Sequence, residues 1–190
     1  MKRFKAVVIG TSAGGIGALS RLLAYLPDAF SFSVIIVLHV SPESRGRQVE
    51  YFDFKFDCSL HNAEDKEPIR PGCVYFAPPN YHLLIESDTT FSLSVDEKVQ
   101  YSRPSIDVLF ESAAHVWGHD LAGIVLTGSN ADGAYGLQVV KEHGGLAVVE
   151  DPAKSEFPTM PQASLSAGEV DYILSLDQIG KLLAEGGTHE

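Results

Sequence analysis

A glycine-rich turn around Ser12 is the first stretch of the chain that could carry chemistry. Residues 10–14 read Gly-Thr-Ser-Ala-Gly, a G-x-S-x-G pattern that in hydrolases lifts a serine hydroxyl above the edge of a sheet. The apolar run at 6–9 predicts a strand that is buried on both faces. Leucines at helical spacing follow from Ile16 to Leu26, so the turn should join a strand to a helix.

The same turn has two other interpretations. Glycine-rich strand-to-helix turns often bind phosphates, because the first N–H groups of the helix are unpaired. The dinucleotide fingerprint fits poorly, since it needs a glycine in place of Ser12 and an acid where the chain has Leu38-His39. The lysine of a P-loop is also missing. From this turn alone, a nucleophilic serine, a nucleotide or anion site and a structural turn all remain open.

Two further polar residues follow predicted strands. His39 comes directly after the apolar run 33–38, and Asp132 lies in the loop after the run 121–126. A helical crossover makes the first two strands parallel, so Ser12 and His39 should lie at one sheet edge, where α/β sheets bind ligands. Taken singly, His39 is better explained as a core or capping histidine, and Asp132 as the N-cap of the next helix. The position of His39 beside Ser12 on the predicted edge favours a functional role for this histidine.

Length and composition restrict the class of protein. The 190 residues are 45% hydrophobic and 21% charged, with a net charge of −11, which argues against nucleic acid or an anionic membrane as the main partner. Cys58 and Cys73 make no disulfide framework, and no signal peptide or bilayer-spanning run is expected, so a cytoplasmic location is predicted. A zinc set of these cysteines with His61 and His82 fits none of the usual spacings. We expect no metal and no cofactor.

The remaining patterns predict alternating strands and helices. Further strands are expected at 59–62, 73–77, 146–149 and 172–174, a hairpin at 81–85 and 90–95, helices at 43–56, 103–117, 134–143, 160–167 and 176–183, and a frayed tail at 186–190. Pro104 is expected in the first turn of its helix. The predicted fold class is α/β: a three-layer, doubly wound, mostly parallel sheet with helices on both faces and an antiparallel edge hairpin.

Six stretches together resemble the catalytic domain of the chemotaxis protein-glutamate methylesterase family, CheB. They are VVIGTSAGG at 7–15, LHVSP at 38–42, EPIRPGCVYFAPPNYHL at 67–83, SRPSIDVLFESAA at 102–114, LTGSNADGA at 126–134 and TMPQASLSAG at 159–168. The resemblance covers nearly the whole chain in the family's order, and the set is far more specific than any one stretch. It implies a doubly wound sheet flanked by helices.

The resemblance also implies an activity, partners and site residues. The family removes methyl groups from glutamate γ-methyl esters of chemoreceptors, and some members deamidate glutamine. Its catalytic triad maps onto Ser12, His39 and Asp132, with oxyanion donors at the backbone N–H groups of Ala13 and Ser129. The implied partners are the methylated cytoplasmic helices of a chemoreceptor or similar signalling protein, and a receiver domain as regulator. The alternative is a nucleotide- or anion-binding domain, or a catalytically retired module for protein contacts.

The chain departs from the family pattern in two places. The family's usual loop reads LTGMG, whereas residues 126–130 read LTGSN, so that Ser129 stands at the methionine position. This difference affects the expected shape of the pocket more than the mechanism, because the family's donor there is a backbone N–H. The usual N-terminal receiver domain has no counterpart in residues 1–190, so a single catalytic domain is expected.

Overall fold

A parallel β-sheet lies at the centre of the computed structural model, which describes residues 4–40, 48–53 and 59–186. The strands of this sheet and of a separate hairpin are β1 (Ala6–Thr11), β2 (Ser33–Leu38), β3 (Ser59–Asn62), β4 (Cys73–Phe76), β5 (His82–Ile85), β6 (Phe91–Ser94), β7 (Leu121–Val125), β8 (Leu146–Glu150) and β9 (Tyr172–Leu174). The α-helices are α1 (Gly15–Leu23), α2 (Gln48–Asp53), α3 (Ile106–Trp117), α4 (Ala134–Glu142), α5 (Thr159–Ala167) and α6 (Leu176–Gly186). This α/β architecture confirms the predicted fold class.

The order of the strands creates a crevice beside β1. Within the described residues the main sheet runs β3-β4-β2-β1-β7-β8-β9, and every neighbouring pair is parallel. The chain first completes one side of the sheet with β2, β3 and β4, and then crosses to the other side of β1 at β7. Helices that leave β1 and β7 therefore cover opposite faces, which opens a crevice at the carboxyl ends of these two strands. Doubly wound sheets bind their ligands at this reversal point.

Two hydrophobic clusters hold the three layers together. One cluster packs α1 and α6 on the first face of the sheet through residues such as Leu19 and Ile179. The other packs α3 and α4 on the second face through residues such as Phe110 and Leu137. Successive residues of β1 alternate between the two clusters, and all six are buried. This double burial explains why the first four residues of β1 are all apolar rather than alternating.

The predicted hairpin forms a sheet of its own. Strands β5 and β6 pair antiparallel from His82↔Ser94 to Ile85↔Phe91, but they do not join the edge of the main sheet, whose outer strands are β3 and β9. Leu83, Ile85 and Phe91 instead pack into the same cluster as α3. The composition of the strands gives the pairing, whereas the packing position depends on α3, a helix later in the chain.

Several element boundaries differ from the predictions. The helix predicted to begin at 103 starts at Ile106, with Ser105 as its N-cap, so that Pro104 lies before the helix rather than in its first turn. The last helix runs three residues further than predicted and ends at Gly186, which is buried. Of the helix predicted at 43–56, residues 48–53 are helical, and all the other predicted positions lie outside the described residues. The tail at 187–190 also lies outside them. In the parts of the chain that the structure describes, no helix is long and apolar enough to cross a membrane.

Candidate active site

Ser12 lies in the crevice, on the turn between β1 and α1. Gly10 is required before it, because a Cβ atom there would stand 2.3 Å from Cγ2 of Ile106 at the start of α3. Gly14 follows with a φ angle of 77°, a conformation that residues with a side chain rarely adopt. The backbone is fixed at Ser12 itself, whose N–H donates to the carbonyl of Thr127 at 3.0 Å. Steric constraints therefore explain why both of these positions in the G-x-S-x-G pattern are glycine.

His39 and Asp132 are joined by a hydrogen bond. Nε2 of His39 lies 2.8 Å from Oδ2 of Asp132. The histidine follows the last residue of β2, and its N–H donates to the carbonyl of Thr11 at 3.0 Å. The side chain of His39 is 13% exposed and that of Asp132 is fully buried. The imidazole thus stands between a buried carboxylate and the crevice.

The Asp132 carboxylate accepts hydrogen bonds from the start of α3. In addition to His39, its donors are the Ser105 hydroxyl at 2.8 Å, the Ile106 N–H at 2.7 Å and the Asp107 N–H at 3.0 Å. Negative charge is favoured at this position by the N-terminal end of the helix dipole. The interpretation of Asp132 as the N-cap of α4 is wrong, because that cap is a glycine with no side-chain bond. The carboxylate serves a different helix, far away in sequence.

Ser12 and His39 line one cavity of about 190 Å³. Its other lining residues come from the first turn of α1, the end of β2 and one loop: Gly14, Gly15, Ile16, Gly17, Leu38, Val40 and Glu156. Asp132 does not line this cavity, and it contacts the imidazole from the buried side. The structure therefore brings the three predicted residues together: Ser12 and His39 line one cavity, and Asp132 contacts His39 from the buried side.

Thr127 fixes the loops on both sides of the crevice. Its carbonyl accepts from Ser12, and its hydroxyl donates to the Ala13 carbonyl at 3.0 Å. The same hydroxyl accepts the Phe157 N–H at 2.9 Å, and the Thr127 N–H donates to the buried Glu150 carboxylate at 2.8 Å. Sequence reasoning missed Thr127 as a site residue, although it lies within a stretch that carries the resemblance. Its side chain holds the turn that presents the serine.

The two predicted oxyanion donors lie on loops at the same edge of the sheet. Ala13 follows Ser12 directly, and Ser129 is an exposed residue of the loop after β7. Among the described residues, neither backbone N–H group has a hydrogen-bond acceptor. Unpaired N–H groups are what an oxyanion site requires. Their role remains a prediction.

Two buried carboxyl groups lie behind the site. Burial, with a smaller contribution from the Asp132 charge, raises the pKa of Asp107 to about 6. Oδ1 of Asp107 accepts the N–H groups of Gly133 at 2.9 Å and Gly136 at 2.7 Å, and so holds the start of α4. Burial also raises the pKa of Glu150. Both carboxyls act on the backbone around the site rather than on the cavity.

Asp107→Asn should stabilise the protein at neutral and alkaline pH. The amide oxygen can keep both hydrogen bonds to α4, while the buried charge is removed. The change also loses the favourable interaction of the charge with the helix dipole, so we expect a net gain of about 1 to 2 kcal/mol in the free energy of unfolding. Because the folded-state pKa is raised from 3.8 to about 6, the charge costs stability above this range and not below it. Thermal unfolding should therefore show a difference that shrinks as the pH falls from 8 to 5. Glu86→Gln, an exposed change at the turn of the hairpin, is the control, and an equal gain there would contradict the explanation.

Comparison with known proteins agrees with the geometry. The family profile described as CheB methylesterase matches residues 7–183. This chain belongs to the CheB methylesterase family. The crystal structure of the Thermotoga maritima CheB methylesterase catalytic domain superposes with a TM-score of 0.91 at 31% identity, covering 96% of this chain and 98% of that one.

Relatives of the CheB methylesterase family match over nearly the whole chain. A Leptospira interrogans protein is 50% identical over 179 residues, which are 94% of this chain and 93% of that protein. Protein-glutamate methylesterase/protein-glutamine glutaminase 3 of Pseudomonas aeruginosa is 36% identical over 183 residues. These are 96% of this chain and 55% of the relative, so the chain spans about half the length of that protein.

Several residues that shape this CheB methylesterase site were not found from the sequence. Ser105 and Thr127 organise the backbone, Asn130 contacts His39, and Glu156 lines the cavity. The first three lie inside the stretches SRPSIDVLFESAA and LTGSNADGA, which was a usable signal. Glu156 lies in no such stretch, and nothing in its sequence neighbourhood indicated a position beside Ser12.

Proposed function

We infer that this chain is a serine hydrolase that removes methyl groups from glutamate γ-methyl esters of chemoreceptors or similar signalling proteins. Family membership carries this inference, since the profile covers residues 7–183. Longer relatives from Pseudomonas aeruginosa and Caulobacter vibrioides are named protein-glutamate methylesterase/protein-glutamine glutaminase. We place the activity in the cytoplasm, beside the cytoplasmic helices of the receptor, with a receiver domain as a regulator.

In the proposed mechanism Ser12 is the nucleophile and His39 is its base. Because Nε2 of His39 bonds to the Asp132 carboxylate at 2.8 Å, Nδ1 is the nitrogen that accepts the serine proton. Oγ of Ser12 then attacks the ester carbonyl, and the imidazolium later gives its proton to the departing methanol. Asp132 fixes the histidine tautomer and stabilises the imidazolium. Water repeats the sequence on the acyl-enzyme and releases glutamate.

The oxyanion formed by this attack needs donors close to Ser12. We assign this role to the backbone N–H groups of Ala13 and Ser129, each worth roughly 3 to 4 kcal/mol in comparable sites. What supports the assignment is the absence of an acceptor for either group among the described residues. Because the groups belong to the backbone, the change from methionine to serine at position 129 leaves the donor in place.

Glutamine deamidation would use the same residues. The acyl-enzyme is identical, and the leaving group is ammonia instead of methanol. The departing amine depends on protonation by His39 more than methanol does. A change that removes this proton donor should therefore slow deamidation more than ester hydrolysis. The double name of the curated relatives supports both activities for this chain.

The side chain of Glu156 argues against the alternative of a phosphate or nucleotide site. It is the one acidic residue among the described residues that line the Ser12 cavity. Its Oε2 atom lies 2.9 Å from the position of a Cβ atom on Gly14, the N-cap of α1. A carboxylate therefore already lies at the positive end of the helix, where a bound phosphate would have to stand. A neutral ester or amide meets no such repulsion.

The function is tested by methanol release from a methylated receptor fragment. We expect time-dependent methanol formation that stops when a sulfonyl fluoride has modified one serine, and peptide mass spectrometry should locate the modification at Ser12. Thermal shift measurements with nucleotides are the counter-test. Stabilisation by nucleotides without methanol release would favour the binding-module alternative.

Glu156→Gln should strengthen inhibition by the product. The substrate side chain is neutral and the product side chain is a carboxylate, so Glu156 should repel only the product. We expect a peptide with free glutamate to inhibit about 3- to 10-fold more strongly, since partly screened charges interact by about 1 kcal/mol. The KM for the methyl ester should change little, and high salt should reduce the difference. Glu169→Gln, which removes an exposed acid outside the cavity, is the control, and equal inhibition in all three proteins would contradict this role.

A further inference from the structure

The carboxamide of Asn130 has one orientation that satisfies its neighbours. The backbone N–H of Asp132 donates to Oδ1 of Asn130 at 3.1 Å. A backbone N–H can only donate, so the atom that it contacts must be the oxygen. Nδ2 of Asn130 then lies 3.1 Å from Nδ1 of His39. The asparagine is therefore a donor towards the imidazole.

This contact fixes the protonation of both imidazole nitrogens. The carboxylate of Asp132 accepts from Nε2 at 2.8 Å, so the hydrogen of the neutral ring is on Nε2. Nδ1 carries the lone pair, and it accepts from Asn130. A neutral imidazole nitrogen has a single lone pair in the plane of the ring. Nδ1 cannot accept the proton of Ser12 while it accepts a full hydrogen bond from Asn130.

We propose that Asn130 is a positioning residue that holds His39 with Nδ1 as its basic nitrogen and occupies this nitrogen until Ser12 replaces it. The proposal rests on the function inferred above. When substrate is bound, the Ser12 hydroxyl displaces the amide, transfers its proton to Nδ1, and forms the bond to the ester carbon. Nδ1 then carries hydrogen and repels the amide N–H. After the proton has left with methanol, the lone pair is restored and the amide can return.

The residue type distinguishes this role from a purely structural one. The loop needs only an oxygen at this position to accept the Asp132 N–H, and aspartate provides one as well as asparagine does. Of these two residues, only asparagine also provides a donor to His39. The family's usual loop, LTGMG, has glycine at this position, and glycine provides neither the oxygen acceptor nor the N–H donor of a side chain. Asn130 is therefore a feature of this chain that the family mechanism does not require.

Asn130→Asp is the decisive variant, because it keeps the turn and replaces the donor by a carboxylate. A carboxylate beside Nδ1 favours hydrogen on this nitrogen, and so removes the base at neutral pH. We expect kcat/KM for the methyl ester to fall by about tenfold or more at pH 7 and to recover towards pH 9, with an unchanged melting temperature. Nitrogen NMR of the imidazole should show Nδ1 protonated in the variant and unprotonated in the parent protein at pH 7.5.

Asn130→Gly and Asn80→Asp complete the experiment. Glycine frees Nδ1, so a small sulfonyl fluoride should label Ser12 about 3- to 10-fold faster, as expected for loss of one hydrogen bond. Asn80 lines a second cavity on which His39 also borders, so its change to aspartate adds a similar charge nearby without replacing the donor, and it should leave the NMR signals unchanged.

Three results would overturn the proposal: parent-like turnover and spectra in Asn130→Asp, slower labelling in Asn130→Gly, or an equal effect of Asn80→Asp. Labelling and NMR need no substrate. If no methanol is released but the labelling rates are as expected, the proposed substrate is wrong and the proposed role of Asn130 is still supported.

Discussion

Ser12→Ala should lower the rate of methyl-ester hydrolysis by at least about 10⁴-fold while the protein stays folded. Loss of the nucleophile in a serine protease costs about 10⁶ in kcat, and a methyl ester, which is more reactive than an amide, loses less. The Ser12 backbone N–H, which bonds to Thr127 at 3.0 Å, is kept in alanine. Melting temperature should therefore change by no more than about 2 °C. Methanol release and thermal unfolding measure the two effects.

Ser129→Ala is the matched control for this change. It removes a serine hydroxyl from the same edge of the sheet but keeps the backbone N–H that we assign to the oxyanion. We expect its turnover to stay within about threefold of the parent protein. If Ser12→Ala retained a tenth of the parent activity, Ser12 would not be the nucleophile. A large loss in Ser129→Ala would instead implicate the hydroxyl at position 129.

Asp132→Asn should lower turnover by at least about 10²-fold and should also reduce stability. An amide cannot stabilise the imidazolium and can favour the wrong histidine tautomer, which costs about 10⁴ in kcat in a serine protease. Methanol needs less help in leaving than an amine, so the loss here should be smaller. Within the part of the chain that the structure describes, the four groups that contact the Asp132 side chain are all donors. In either orientation of the asparagine carboxamide, its NH₂ group would face one of these donors, which should cost about 1 to 3 kcal/mol of stability.

Ser105→Ala separates the two effects of Asp132→Asn. It removes one donor to the Asp132 carboxylate and the cap of α3, but it leaves the bond between Asp132 and His39 in place. We expect a stability loss of about 1 kcal/mol and less than a tenfold loss of turnover. If both variants lost turnover equally, the effect of Asp132→Asn would come from a displaced helix, and its assignment to the triad would fail.

The sequence predicts the sheet well because its strands are marked by local patterns. Apolar runs buried on both faces, such as the one at 6–9, identified the parallel strands, and the glycines around Ser12 identified the turn. Crossover geometry then placed the ends of β1 and β2 at the same edge. None of these inferences needed contacts between distant parts of the chain.

The residues that the sequence did not reveal act through distant contacts. Asp132 is bound by Ser105 and by two N–H groups more than twenty residues earlier, so its own neighbourhood suggested only a local cap. Glu156 and Thr127 contact the serine turn from other loops. Local pattern carries no information about such contacts, and only the resemblance of whole stretches indicated that some of them matter.

The position of Asp132 at the start of α3 affects how loss of activity should appear among related proteins. Natural selection for a stable fold retains this aspartate even after selection for hydrolysis has ended, because its carboxylate anchors a helix. The hydroxyl of Ser12 and the ring of His39 face a cavity, and within the described residues neither of them bonds to the backbone of a helix. An inactive descendant should therefore lose its serine or histidine first and keep its aspartate. Surveys that infer activity from the aspartate alone would count such descendants as enzymes.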